Sequence, residues 1–149
     1  MNPNPYQPPG SDVADPPIRR SPVPAPVRSA CLLILGGMGL SLLTLIPGLR
    51  AQDPELPPVP LWVEALWIGF FVGLTVWLLV LIQRRQNWAR WTMLVLLAIG
   101  WIAIASDFPA GFMRSPVASV IDLAVMAMEA FAAWQLFTGP AARWYRGEG

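Results

Sequence analysis

The sequence predicts an all-α, integral membrane bundle of four antiparallel transmembrane helices, both termini cytoplasmic. Three observations predict it. The chain is 55% hydrophobic and only 13% charged, whereas a soluble domain carries about 25% charged residues. Its mean hydropathy is +0.51. Its apolar residues gather into four runs of 18–22 residues with short polar stretches between them. At about 1.5 Å rise per residue, each run crosses a hydrocarbon core of about 30 Å. Lipid offers backbone groups no water partner, so helix is the expected form. Strand-type alternation is absent, which argues against a β-barrel.

Residues 1–29 hold nine of the seventeen prolines, with Asp12, Asp15, Arg19, Arg20 and Arg28. Such a stretch buries too little apolar area to offset its ordering entropy. It reads as a disordered, partly polyproline-II cytoplasmic tail, a solvated tether or a ligand for a proline-recognising partner. The first span runs 30–49 and reads as an uncleaved anchor, because its apolar run is longer than a signal peptide's. Pro47-Gly48 closes it. Cys31 lies at its start and reads as a small apolar residue, with acylation as the functional alternative. The second span runs 61–82, with Pro60 before it, where a missing N–H costs nothing. The third runs 88–105, with Asn87 as its cap. The fourth runs 117–137, with Ser115 as cap and Pro116 at its first position. Gly139-Pro140 ends it, and 139–149 reads as a short cytoplasmic stub. Connections of about 11, 5 and 11 residues force antiparallel neighbours.

Orientation follows from arginine counting. The tail, the second connection with Arg90, and the stub together carry eight arginines. The other side carries Arg50 and Arg114. Both termini are therefore expected in the cytoplasm, which an even number of spans allows.

The totals exclude several chemistries. There is no histidine, hence no imidazole base or ligand. Cys31 is the single cysteine, so neither an intrachain disulfide nor a thiolate metal cluster can form. All ten basic residues are arginine, which removes lysine nucleophiles. The net charge of +1 gives no strong pull toward nucleic acid. No catalytic, cofactor-binding or metal-ligating set emerges.

Glu129 is the most informative residue, because it falls near mid-membrane. A carboxylate there costs about 2.5–3.5 kcal/mol on insertion scales. Asp122 lies seven residues earlier, on the same helix face and about 10 Å away along the axis. The fourth span is also alanine-rich, with eight Val, Ile, Leu or Phe residues, so it needs neighbours to remain inserted. The functional reading is a proton or cation path touching Asp122 and Glu129. The structural reading is a protonated Glu129 hydrogen-bonded to Ser41, Thr44, Thr75 or a carbonyl. Glu64 sits one turn inside the second span, within reach of water, Arg50 or Arg114.

Ala65, Gly69 and Gly73 form a small-residue ridge with a GxxxG core. Gly37 and Ser41 form a weaker one, so the first and second helices are expected to pair. Trp62 marks one membrane boundary. Asn87, Trp88, Arg90, Trp91, Arg143 and Trp144 mark the other as interfacial anchors.

Three stretches carry a resemblance: Pro26-Val27-Arg28-Ser29-Ala30, Arg84-Arg85-Gln86-Asn87-Trp88-Ala89-Arg90, and Leu136-Phe137-Thr138-Gly139-Pro140-Ala141-Ala142-Arg143-Trp144-Tyr145. Together they resemble uncharacterised small bacterial four-helix inner-membrane proteins. These have an NWAR element before the third helix and a Pro-Ala-Ala-Arg-Trp-Tyr-type ending. The resemblance implies a four-span inner-membrane protein and brings no catalytic residue. Small multidrug transporters keep a glutamate in the first helix, where this chain has none. The expected role is a non-enzymatic membrane protein, an accessory or assembly subunit. Its expected partners are the lipid bilayer and a membrane-protein partner or a second copy of itself, not nucleic acid. The alternative is a small transporter or proton-linked channel using Glu129 and Asp122.

Overall fold

The computed structural model describes residues 22–45 and 59–147. Among them the fold is all-helical. It consists of α1 (Ala25–Leu43), α2 (Leu61–Gln83), α3 (Asn87–Arg114), α4 (Pro116–Phe137) and a short α5 (Gly139–Arg146). The first four are long and apolar enough to cross a membrane.

Helix α1 begins earlier than expected, at Ala25, with Pro26 in its first turn. Proline is pre-organised there and its absent N–H was unpaired in any case. The end of the supposed tail is therefore helical, and residues 1–21 lie outside the described residues. At the other end, the Thr44 hydroxyl donates to the Ser41 carbonyl at 2.7 Å. The expected Pro47-Gly48 stop lies outside the described residues.

Helix α2 starts after Pro60, as its sequence predicts. It closes with two reversed backbone bonds: Arg85 N–H to Ile82 O at 3.1 Å and Gln86 N–H to Leu81 O at 3.0 Å. This closure needs a left-handed residue, usually glycine. Arg85 fills that place with φ 64°. Gln86, not Asn87, occupies the cap position of α3 and makes no side-chain cap bond.

Helix α3 differs most from expectation. The connection expected after residue 105 is helical through Pro109 to Arg114. The proline stands inside the helix, and Phe108 and Phe112 pack one turn apart at 5.9 Å. At about 1.5 Å per residue the helix is roughly 42 Å long, longer than a hydrocarbon core. A single extended residue, Ser115, joins it to α4. Ser115 Oγ accepts from Ala118 N–H at 3.4 Å, which agrees with its predicted capping role.

Helix α4 is the organiser. It makes its broadest contact with α1 and a second with α3, while α2 leans on α3 and only lightly on α1. The expected pairing of α1 with α2 through their glycines therefore gives way to α1 with α4. The reason is steric. A Cβ on Gly37 would meet Val125 Cγ1 at 3.4 Å, and one on Gly36 would meet Met128 Cε at 3.3 Å. Helix α4 buries the small residues Ala118, Ala132 and Ala133. The Ser29 hydroxyl also donates to Gln135 Oε1 across this contact.

The densest core lies at one end of the bundle. Val27, Ala30 and Ile34 of α1 meet Leu78 and Ile82 of α2, Ala89 and Met93 of α3, and Leu136 of α4. Helix α5 closes this end with Ala141 and Trp144. The supposed stub is thus a packed helix.

Candidate functional site

Two places concentrate polar groups. The first is the α3–α4 seam. Trp101 Nε1–H donates to Glu129 Oε2 at 2.9 Å. Glu129 is half-buried, and its Cγ lies 3.9 Å from where a Cβ on Gly37 would stand. Three helices therefore meet at this one side chain. The predicted hydroxyl partners are elsewhere: Ser41 and Thr75 line a largely apolar cleft of about 300 Å³ between α1 and α2. Asp122 opens onto the same seam nearer the other end. It lines a cleft of about 230 Å³ with Asp107, Gly111 and Ser119. Both acids thus face α3, as their seven-residue spacing predicts. Asp107 pairs with Arg114 at 3.8 Å, a loose and exposed contact. Glu64 is half-buried in the first turn of α2. Among the described residues, no group of three or more His, Cys, Asp or Glu is placed to hold a metal ion.

The second place is the α5 end. Arg90 stands in the first turn of α3. Its guanidinium lies 4.9 Å from the centre of the Phe137 ring and 4.5 Å from that of Tyr145. Its Nη1 donates to Leu136 O at 3.3 Å. Arg85 lies over Trp144 at 5.4 Å. The Tyr145 hydroxyl donates to Ile82 O at 2.6 Å. That carbonyl already accepts from Arg85 N–H, so one oxygen ties the α2 end to α5. Burial first, and Cys31 second, push the Tyr145 phenol far above its ordinary range, while Arg90 opposes them. Tyr145 therefore remains a neutral donor throughout the physiological range.

The expected anchors divide. Trp62, Trp88 and Trp91 are exposed. Arg143 is exposed as well. Trp144 is only 5% exposed and packs inward. The small ridge of α2 also faces outward: a Cβ on Gly69 or Gly73 meets nothing within 4 Å. Two features escaped sequence reasoning, the Trp101–Glu129 bond and the arginine clamp on α5. Pro140 one residue into α5 and the Arg-Trp-Tyr-Arg pattern were the only local signals of the latter.

Comparisons with protein-family models, characterised proteins and solved structures give no match to this chain.

Proposed function

We propose that the chain is a non-enzymatic multi-pass protein of a bacterial inner membrane, both ends cytoplasmic, acting as an accessory or assembly subunit. The observation that carries this reading is the open ridge of α2. Ala65, Gly69 and Gly73 are exposed, with Leu66 and Phe70 beside them, and among the described residues nothing lies within 4 Å of a Cβ placed on Gly69 or Gly73. Lipid fills such a groove less closely than another helix does, because small residues admit close backbone approach. The arginine asymmetry supports the orientation. The resemblance of the NWAR element and the Trp-Tyr ending supports the bacterial setting.

The test is purification from native membranes in mild detergent, followed by native mass spectrometry. A stoichiometric foreign subunit, lost in Gly73→Ile, is expected. A stable monomer with no companion would remove the reading.

A second reading rests on the acid-lined seam. A small transporter or proton-linked channel would use Asp122 and Glu129, because intramembrane carboxyls line ion paths. Glu129→Gln should then abolish flux in liposomes. Unchanged flux would exclude it.

A further inference from the structure

The α5 end brings cations together on aromatic supports. The left-handed backbone of Arg85 carries its guanidinium over Trp144. Its Nη2 lies 3.4 Å from where a Cβ on Gly147 would stand. Arg90 is held between Phe137 and Tyr145. Trp144 and Tyr145 are adjacent and edge to face, 5.0 Å between centres, so the two guanidinium groups share one aromatic platform.

Ring contact uses the faces of a guanidinium and leaves its edges. The N–H groups lie in those edges and call for oxygen. Among the described residues, Arg90 has one hydrogen-bond acceptor, Leu136 O. Its Nε–H is buried without an acceptor among the described residues, and so is Trp144 Nε1–H. The described carboxylates lie elsewhere: Glu64 and Asp107 at the opposite end, Asp122 and Glu129 within α4. Glu148 lies outside the described residues.

We propose that Arg85 and Arg90, clamped on the aromatic pair of α5, bind the phosphate of an acidic phospholipid headgroup. Arginine forks match phosphate oxygens two at a time. The depth fits, because both arginines flank the junction where the apolar runs of α2 and α3 end and headgroups begin. Exposed Arg84 and Arg143 add positive charge on the same side. The ammonium of a zwitterionic lipid opposes that charge, so an anionic headgroup is selected. The site rests on the reading of α1–α4 as membrane spans.

The test uses the full chain in mild detergent. It compares retention of phosphatidylglycerol with that of chain-matched phosphatidylcholine by native mass spectrometry. Preferential phosphatidylglycerol retention is expected. Arg85→Gln and Arg90→Gln should each lower it about five-fold. Arg114→Gln, at the opposite end, should leave it unchanged. Equal retention of the two lipids by the unaltered protein overturns the proposal, even if the Arg90 variant fails to fold. Displacement by low-millimolar inorganic phosphate also overturns it, in favour of a soluble anion. Release of the chain from membranes by alkaline carbonate would instead sink the membrane-spanning reading beneath it.

Discussion

The indole N–H of Trp101 donates to Glu129 Oε2 at 2.9 Å, tying α3 to α4 near the middle of both helices. This bond decides what a substitution at either residue does. Trp101→Phe keeps the ring and removes the donor. It should destabilise the protein by about 0.6–1.7 kcal/mol, from the average to the largest value measured for hydrogen bonds between membrane helices. Glu129→Gln keeps an acceptor oxygen of the same reach and should cost less. Thermal unfolding in detergent checks the order. A Trp101→Phe variant as stable as the parent would deny the bond any structural role.

The glycines of α1 and α2 should respond in opposite ways. Gly37 faces Val125 at contact distance. Gly37→Leu must displace α4, so a loss of about 1–3 kcal/mol is expected from overpacking. Gly69→Ala meets nothing and should be neutral or slightly stabilising, since alanine favours helix. Parallel melting curves of the two variants separate these cases. Equal losses would mean that α2, too, is covered.

Arg85 occupies backbone space that suits glycine. Arg85→Gly should relieve about 1–2 kcal/mol of strain. It also removes the contact with Trp144, worth about 0.5–1 kcal/mol. The net change in stability should therefore be small. Arg85→Val loses the contact and keeps the strain, and should be clearly destabilising. Chemical denaturation of the two variants measures the difference, and equal midpoints would argue against the left-handed turn.

The docking of α5 should be indifferent to pH until the phenol ionises. The folded-state pKa of Tyr145 is raised by burial, above an unfolded value of about 10. The associated stability is therefore complete below pH ~10 and falls as pH rises beyond it. Trp144 fluorescence in Tyr145→Phe and in the parent, followed from pH 6 to 11, tests the sign. Loss of docking between pH 6 and 8 in the parent would contradict it.

The four long apolar helices were legible because composition and run length alone dictate them. Ser115 was legible because capping is local. The extension of α3 was not, since Asp107, Pro109 and Arg114 have the composition of a loop. An interior proline removes one backbone bond, and nine residues of helix around it survive its presence. The shared face of Asp122 and Glu129 could be read from spacing. Their partner could not, because Trp101 lies on another helix and no local pattern encodes the order of helices around a bundle. For the same reason the glycines of α1 gave no sign of facing α4. The eight-residue α5 was invisible to any test of span length.

The concentration of the core beside α5 makes the molecule unequal in stiffness from end to end. The layer under Trp144 is a fulcrum, and the helices extend from it like arms. Small rotations there become large separations at the opposite tips, where Asp107 and Asp122 line a cleft. Amide exchange should be slowest around Ile34, Ile82 and Leu136 and quicken steadily toward those tips. Opening at the tips can proceed while α5 holds the base closed.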